Sequence, residues 1–334
     1  MSETFIVAEL SANHGGSLDT ALKTVIAMKD SGANAIKLQT YKPESLSLDI
    51  DNEYFGEKTS GPWKGFRPYD LYKKAATPYE WHKEIFALAR SVGLTCFSSP
   101  FDLEAVDFLE SLGNPIYKIA SFEINDIPLI RKASATGKPI IISTGVASED
   151  DIQLAINTCL REGNTDITLL KCTSQYPSQI SDANLLKISD LAKRFKVKVG
   201  LSDHSEGHFL PCLAVAMGAT VIEKHFVLNK QIDSPDAFFS MTPEEFKEMS
   251  ENIRKVELAK GVIDYVVSDA DLLRRRSLFA TEDIQPGELF SEKNIKSLRP
   301  GVGISPMYYE SILGKKSKYR ISLGTPILAE YISD

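Results

Sequence analysis

Eight short apolar runs, each followed by a longer amphipathic segment, occupy residues 1–260 and constrain the fold of this chain more than any other feature. The runs are FIVAEL (5–10), AIKLQT (35–40), TCFSSP (95–100), IYKIAS (116–121), PIIISTG (139–145), ITLLKCTS (167–174), KVGLSDHS (198–205) and TVIEKHF (220–226). Strict alternation of strands and helices is typical of a parallel sheet covered by helices. Eight such units favour an α/β protein with a closed (β/α)8 TIM barrel, and a doubly wound open sheet is the alternative.

The pattern changes after residue 260. Residues 261–275 indicate a partly helical linker, and residues 276–334 contain short strand-like runs separated by turns such as Gln285-Pro-Gly-Glu288. A domain of about 60 residues buries too little surface for an extensive core of its own. We therefore predict a barrel domain at 1–260 and a small β-rich domain at 276–334 that leans on a partner surface.

One long insertion, residues 41–76, follows the second apolar run. A structureless segment of this length inside a compact domain is usually an active-site lid or a binding loop. We therefore expect the insertion to have a functional role.

Composition and charge exclude several classes of protein. The chain has a net charge of −7, which argues against a protein whose main task is to bind a nucleic-acid backbone. The N-terminus lacks the basic segment and long apolar run of a signal peptide, and no stretch approaches the ~18 apolar residues of a membrane-spanning helix. We expect a cytoplasmic protein that binds neither nucleic acid nor membrane, with its 4 cysteines as reduced core thiols.

Polar side chains end nearly every predicted strand, and the carboxyl ends of barrel strands form the active-site face of a TIM barrel. Side chains alternate along a strand, so Glu223 and His225 share one face while Lys224 points towards a helix. The convergence of eight polar strand ends on one face predicts a functional site. The polar residues at these strand ends are Glu9, Asn13, His14, Lys37, Gln39, Ser98, Ser99, Lys118, Ser121, Glu123, Ser143, Thr144, Lys171, Thr173, Ser174, Ser202, Asp203, His204, Glu223, Lys224 and His225.

His204 and His225 close successive strands, which are neighbours in a barrel. Two imidazoles at this position could ligate a divalent metal and leave positions open for water and substrate. A pair of hydrogen-bonded structural histidines is the alternative interpretation. Asp236, just beyond the last strand, is a candidate acceptor for the second ring nitrogen of a ligating histidine.

Lys37 and Lys118 lie inside apolar runs, where a lysine is unusual unless it has an anionic partner. Together with nearby hydroxyl groups they predict a pocket for a phosphate or a carboxylate. A single Schiff-base lysine, as in barrel aldolases, remains the competing interpretation.

The ordered blocks AELSANHGGSL, AIKLQTY, FSSPFD, YKIASFE, KPIIISTG, LKCTSQYP, GLSDHS and IEKHF resemble the sialic acid synthase family. The last 60 or so residues resemble the C-terminal domain of that family, called SAF or antifreeze-like. Within the family, LYKKAATPYEWH, CFSSPF and LKCTSQYP favour the pseudaminic branch. The N-acetylneuraminate and legionaminate branches are the alternatives, and a Schiff-base aldolase or a non-catalytic carbohydrate-binding protein are more distant ones.

The resemblance implies a reaction. Members of the family condense phosphoenolpyruvate with the open-chain aldehyde of an amino sugar, which for the pseudaminic branch is 2,4-diacetamido-2,4,6-trideoxy-L-altrose. The carbon–oxygen bond of phosphoenolpyruvate breaks, water adds at its C2, and the products are a nine-carbon 2-keto acid and phosphate. A divalent cation, Mn²⁺, Mg²⁺ or Co²⁺, is required, and the family forms domain-swapped homodimers.

The resemblance also implies roles for individual residues. His204 and His225 match the metal ligands, and Glu9, Lys37, Lys118 and Glu123 match catalytic positions. Arg299 matches the arginine that the C-terminal domain lends to the barrel of the other subunit. The remaining positions that match substrate-binding residues are Gln39, Ser99, Ser121, Ser143, Tyr176, Ser202 and Asp236.

Overall fold

The computed structural model describes residues 3–61 and 63–333, and within them eight parallel strands close into a barrel in chain order. The strands are β1 (Phe5–Glu9), β2 (Ala35–Thr40), β3 (Thr95–Pro100), β4 (Tyr117–Ile119), β5 (Ile140–Ser143), β6 (Ile167–Cys172), β7 (Lys198–Asp203) and β8 (Val221–His225). β8 pairs with β1 in register, from Phe5 opposite Val221 to Glu9 opposite His225. The prediction of a closed (β/α)8 barrel is therefore confirmed, and the open-sheet alternative is excluded.

Helices connect the strands and form the outer layer of the barrel. They are α1 (Leu18–Asp30), α2 (Pro43–Leu46), α3 (Pro68–Ala75), α4 (Tyr79–Ser91), α5 (Leu103–Ser111), α6 (Ile127–Ser134), α7 (Glu149–Arg161), α8 (Leu186–Phe195), α9 (Phe209–Ala216) and α10 (Pro243–Lys260). Local sequence explains several of their starts, because Ser17 caps α1 and capping boxes open α7 and α10. No helix of the described residues is both long and apolar enough to cross a membrane.

The insertion after β2 is more ordered than the sequence predicts. It contains α2 and α3, and each of these helices begins at a proline. A proline at the first helical position loses no hydrogen bond and has its backbone already set for a helix. These two helices are too short to show a clear apolar period in the sequence.

The inside of the barrel is filled at one end only. A layer of apolar side chains closes the interior, formed by Val7, Ala35, Phe97, Ile141, Leu170 and Val221. A larger apolar cluster lies on the other faces of the strands, against the helices. Because the apolar layer blocks the amino end of the interior, a cavity can open only towards the carboxyl ends of the strands.

The chain divides into two compact units after Gly261, and the second unit has its own small core. It contains α11 (Asp269–Leu273), α12 (Tyr309–Ile312) and an antiparallel pair of strands, β9 (Ser277–Ala280) and β10 (Ile295–Leu298). Isolated antiparallel bridges join other segments of this unit, for example Ile284 and Ile321. The core side chains are Leu278, Ala280, Ile284, Phe290, Ile295, Ile312, Ile321 and Ile327.

Candidate active site

A cavity of about 410 Å³ opens at the carboxyl ends of the barrel strands. Its lining includes all but one of the residues that the sequence predicts for the site. These are Glu9, Lys37, Gln39, Ser99, Lys118, Ser121, Glu123, Ser143, Tyr176, Ser202, His204, His225 and Asp236. The exception is Arg299, which lies in the second unit immediately after β10. Its predicted role at the barrel of another subunit stays a prediction.

Strand alternation explains why these side chains meet. The residue two positions after each apolar layer residue points into the same interior, one step closer to the mouth. Thus the next inward-facing residue after Val7 is Glu9, and the next one after Ala35 is Lys37. On β7 the layer position is Gly200, where a Cβ atom would lie 2.3 Å from a backbone oxygen of β8, so only glycine fits. The floor of the cavity is therefore polar because its positions are the next inward-facing ones above the apolar layer.

Glu223 holds the two interior lysines together. Its Oε1 lies 3.2 Å from Nζ of Lys37 and 3.3 Å from Nζ of Lys118, and it accepts a 2.9 Å hydrogen bond from Ser202. All three charged side chains are almost completely buried. Sequence analysis placed Glu223 on the interior face but did not include it among the site residues. The sequence feature that could have indicated its role is strand alternation, which places Glu223 on the same face of β8 as His225.

Glu9 is the second carboxylate of the floor. It lies 3.0 Å from Nζ of Lys37, accepts a 2.8 Å hydrogen bond from Nε2 of Gln39, and approaches Nε2 of His225 to 3.2 Å. Burial opposes its ionisation, but the charge of Lys37 beside it holds the pKa of Glu9 well below its ordinary value. Glu9 is therefore ionised at neutral pH, and it faces both the lysine and the histidine side of the cavity.

The two lysines differ in their electrostatic surroundings. Burial lowers the pKa of both ammonium groups, but Glu223 and Glu9 together raise the pKa of Lys37 above its ordinary value. At Lys118 burial outweighs the attraction of Glu223, and its pKa is lowered. Lys37 is thus a fixed positive charge, and Lys118 is the more easily deprotonated of the two.

Glu123 differs from the two floor carboxylates. It lies on a short 3₁₀ turn, Ser121–Glu123, directly after β4, and its Oε2 has no hydrogen-bond partner among the described residues. Burial raises its pKa to about 7, although Lys118 opposes this shift. A carboxyl group with this pKa can accept or release a proton near neutral pH.

His204 and His225 lie side by side at the mouth of the barrel, with ring centroids 5.3 Å apart. Nδ1 of His204 donates to the backbone oxygen of Thr173 at 2.9 Å, which leaves its Nε2 as the nitrogen with a free lone pair. Nδ1 of His225 is buried and has no hydrogen-bond partner in the part of the chain that is described. The pair therefore fits two nitrogen ligands of one divalent metal. Residues 3–61 and 63–333 contain no group of three or more His, Cys, Asp or Glu side chains placed for a metal, so water or substrate would complete the coordination.

Asp236 does not form the predicted hydrogen bond to a histidine. Its Oδ2 lies 3.9 Å from Nδ1 of His225, beyond hydrogen-bond distance, and instead accepts from the hydroxyl of Ser11. Ser11 has a positive φ of 47° and also accepts a 3.1 Å hydrogen bond from Gln39. Sequence analysis missed Ser11 because it lies beyond β1, where strand alternation no longer applies.

The insertion supplies one wall of the cavity. Tyr41, Trp63 and Tyr72 line it, and the Trp63 ring lies 5.7 Å from the ring of Tyr176. Nε1 of Trp63 donates to the backbone oxygen of Pro235 at 3.3 Å. Sequence analysis did not single out these aromatic residues, although their number in one short insertion was a signal.

The whole chain is similar to proteins of one known family. Residues 24–265 match the model of the NeuB family, and residues 275–332 match that of the SAF domain. The chain belongs to the NeuB family. Three similar proteins support this. Pseudaminic acid synthase of Helicobacter pylori is 49% identical over 98% of this chain and 97% of its own length. N,N'-diacetyllegionaminic acid synthase of Legionella pneumophila is 38% identical over 98% of this chain and 94% of its own.

The third similar protein is a solved structure. The N-acetylneuraminic acid synthetase of Leptospira borgpetersenii, in complex with citrate, has a TM-score of 0.72 and 31% identity, and the match covers 81% of this chain and 89% of that one. Membership of the NeuB family with a SAF domain confirms the resemblance that the sequence blocks indicate.

Lys224 does not line the cavity. Its Nζ lies 2.5 Å from Oδ2 of Asp203 and also donates to the backbone oxygen of Ser205, on the outer face of the barrel strands. In the strand end Glu223-Lys224-His225, two residues thus face the site, and the third is neutralised outside it.

Proposed function

We propose that this protein is a pseudaminic acid synthase. It condenses phosphoenolpyruvate with the open-chain aldehyde of 2,4-diacetamido-2,4,6-trideoxy-L-altrose and water, and it forms pseudaminic acid and phosphate. The observation that carries the proposal is the gathering of two lysines, two ionised carboxylates and two histidines around one cavity. The choice of sugar rests on identity, which is 48–49% to pseudaminic acid synthases and 38% to a legionaminic acid synthase.

Charge balance supports an anionic donor in this cavity. Lys37 and Lys118 are offset by Glu9 and Glu223, so these four residues alone have no net charge. A divalent metal at the histidines would add two positive charges, against about three negative charges on phosphoenolpyruvate. The hydroxyls of Ser99 and Ser143 line the same floor, have no hydrogen-bond partner among the described residues, and can donate to phosphate or carboxylate oxygens.

His204 and His225 are the residues that would hold the metal, and the physiological ion would be Mn²⁺, Mg²⁺ or Co²⁺. When bound, the metal acts as a Lewis acid that makes the aldehyde carbon of the sugar more electrophilic. Thr173 fixes the orientation of His204 through its backbone oxygen, so that Nε2 faces the cavity.

The chain's own carboxylates serve the second half of the reaction. C3 of phosphoenolpyruvate forms the new bond to the aldehyde carbon, which leaves cationic character at C2. Glu9, which is ionised, stabilises that charge electrostatically. Glu123 accepts a proton from the water that adds to C2, because its pKa is about 7. Glu123 passes that proton to the former aldehyde oxygen, which becomes a hydroxyl group. The C2–O bond then breaks, the bridging oxygen and the second proton of the water leave with phosphate, and the water oxygen becomes the 2-keto oxygen.

The mouth of the cavity suits the sugar. The altrose derivative has a methyl group and two acetamido groups, which offer apolar surface and amide hydrogen bonds. Tyr41, Trp63 and Tyr72 provide aromatic surface, and Asp236 and Tyr176 provide polar atoms near the histidines. In this arrangement phosphoenolpyruvate binds at the charged floor, and the sugar binds at the aromatic mouth.

A second subunit completes the proposed enzyme. We infer a domain-swapped homodimer in which Arg299 reaches the barrel of the partner and contacts the sugar. The protein is cytoplasmic in this proposal, because phosphoenolpyruvate is a metabolite of the cytoplasm.

Product analysis with three acceptors tests the function. The enzyme, phosphoenolpyruvate and Mn²⁺ are incubated separately with the L-altrose derivative, N-acetylmannosamine and the legionaminic acid precursor, and products are identified by mass spectrometry. We expect kcat/KM to be highest for the altrose derivative, with one phosphate released per keto acid. A higher kcat/KM with either other sugar would replace the proposed substrate.

The lowered pKa of Lys118 also suits a Schiff-base aldolase, the second candidate. Borohydride treatment during turnover separates the two reactions. The synthase reaction leaves the protein mass unchanged and is abolished by EDTA, whereas an aldolase would give a covalent adduct at Lys118.

A further inference from the structure

Lys171 differs from every other lysine buried in the barrel. Lys37, Lys118 and Lys224 each lie within 3.3 Å of a carboxylate oxygen. Lys171 is only 4% exposed, yet it has no carboxylate within 4.0 Å among the described residues. In the part of the chain that the structure describes, its Nζ donates to the hydroxyl of Thr173. Burial lowers the pKa of Lys171, because no close carboxylate compensates its ammonium group. An anion from outside the chain would supply that compensation and hold the ammonium form in place.

A second cavity gives Lys171 access to such an anion. It has a volume of about 320 Å³ and lies between the ends of β5 and β6 and the helices α7 and α8. Lys171 follows Leu170 on β6 and therefore points away from the barrel interior, towards this cavity. The cavity is large enough for a small metabolite and not only for a single water molecule.

Lys171 is the most buried of the charged residues that line this cavity, which balance in number. Arg194 at the rim is already paired with Glu149 at 2.9 Å and with Asp190 at 3.1 Å, and all three are substantially exposed. The other charged lining residues are Lys171, Lys187 and Asp182. Exposed charges are screened by water, and a buried charge is felt more strongly, so Lys171 dominates the interior of the cavity.

The second cavity is linked to the candidate active site through Thr173. The hydroxyl of Thr173 accepts from Nζ of Lys171 and donates to the backbone oxygen of Asp182 at 3.2 Å. The backbone oxygen of Thr173 accepts the hydrogen bond from Nδ1 of His204. A ligand that moves Lys171 would therefore act on the residue that orients His204.

We propose that this second cavity binds a small oxyanion, the phosphate or carboxylate group of a metabolite, through Lys171 with support from Lys187. Of the residues that line this site, Cys172 also lines the cavity at the barrel mouth, whereas Lys171 and Lys187 do not. Binding there does not depend on which sugar the enzyme uses, or on whether it is a synthase.

Anomalous diffraction from crystals soaked in selenate locates the anion directly. Wild type is compared with Lys171→Met, which keeps most of the length of the side chain without its charge. The control is Lys193→Met, which removes an exposed charge from α8 outside the cavity. We expect a selenium peak within hydrogen-bond distance of Nζ of Lys171 in wild type and in Lys193→Met. The peak should be absent in Lys171→Met, while any peak at the barrel mouth persists. No peak at Lys171 in wild type, or an unchanged peak in Lys171→Met, would overturn the proposal.

Thermal unfolding tests the same site in solution. In a buffer without multivalent anions, Lys171→Met should be at least as stable as wild type, because it removes an unpaired buried charge. Added phosphate or malonate should raise the Tm of wild type and of Lys171→Arg more than that of Lys171→Met. If phosphate raises the Tm of wild type more than malonate does, the preferred group is a phosphate, and the reverse order indicates a carboxylate. Equal gains in wild type and Lys171→Met would contradict the proposal, as would a Lys171→Met protein that is less stable without anions.

Discussion

At the scale of residues, the charged side chains on the floor of the cavity neutralise one another, because each lysine is paired with a carboxylate. Glu223 bridges two lysines, and Glu9 bridges one of those lysines and a histidine. Removing one member of a buried ion pair leaves its partner uncompensated, which is far less favourable than the intact pair. Substitutions at this floor should therefore be isosteric, so that loss of function can be separated from loss of folding.

Glu9→Gln should reduce kcat by at least about 100-fold, the typical contribution of a positioned ionic or acid–base group. Affinity for phosphoenolpyruvate should be retained, because Lys37 keeps its contact with Glu223. Steady-state kinetics and calorimetric titration with phosphoenolpyruvate measure the two quantities. Glu80→Gln, an exposed change on α4, serves as the control. Turnover near the wild-type value would remove Glu9 from the mechanism.

Glu123→Gln should stabilise the protein at alkaline pH. Burial raises the pKa of Glu123 from 4.5 to about 7, so the folded state favours the protonated form. This contribution to stability is present below pH 4.5 and is lost as the pH rises through about 7. Glutamine imitates the protonated form, and the variant should exceed wild type by about 1–3 kcal/mol at pH 8. Near pH 4.5 the two proteins should be almost equal.

Denaturant unfolding at the two pH values checks the Glu123 prediction. Glu84→Gln, at an exposed position on α4, should follow wild type throughout. A difference between Glu123→Gln and wild type that is the same at both pH values would show that ionisation of this carboxyl is not its cause.

At the scale of elements, the insertion supplies one wall of the cavity. α2 and α3 are short, and the aromatic residues near them face the site from outside the barrel. Trp63 is held at both ends, by the hydrogen bond to Pro235 and by contact with Tyr176. The sugar side of the site therefore depends on a segment that is not part of the repeating barrel unit.

Trp63→Ala should raise the KM of the sugar about tenfold, as expected for the loss of one aromatic contact of about 1–1.5 kcal/mol. The KM of phosphoenolpyruvate should change little, because the charged floor is untouched. Tyr54→Ala provides a control in the same insertion, since Tyr54 is 77% exposed and does not line the cavity. An equal rise of both KM values in Trp63→Ala would argue against a specific contact with the sugar.

The sequence predicts the barrel elements well because burial and alternation have a regular period there. Residues two positions above the apolar layer, such as Lys37 and Lys118, could be assigned to the interior from their strands alone. The partners of these lysines could not, because barrel closure and stagger decide which strand ends meet. Glu223 was therefore missed as the residue that joins them. Ser11 and Trp63 lie in irregular segments, where no periodicity indicates the direction of a side chain.

At the scale of the whole molecule, the chain consists of a barrel unit and a small unit with a core of its own. The sequence indicates this division through the change of pattern after residue 260. A partner subunit leaves no comparable signal in composition or spacing, and the proposed exchange of Arg299 between subunits is a claim about assembly. It can be tested without any knowledge of the interface.

Arg299→Ala should weaken sugar handling while leaving the barrel folded. Mixing it with Glu9→Gln by co-expression should restore about a quarter of wild-type activity, because half of the dimers are mixed and one of their two sites is intact. Two affinity tags allow the mixed dimer to be isolated and assayed. Absence of any rescue in that dimer would mean that Arg299 acts on its own barrel or not at all.

The fate of the bridging oxygen of phosphoenolpyruvate tests the proposed chemistry most directly. Phosphoenolpyruvate labelled with ¹⁸O between C2 and phosphorus is turned over with the L-altrose derivative, and both products are examined by mass spectrometry and ³¹P NMR. Addition of water at C2 with cleavage of the C–O bond predicts ¹⁸O in every phosphate released and none in the nine-carbon acid. Label retained in the keto acid, or no phosphate formed at all, would contradict the proposed reaction.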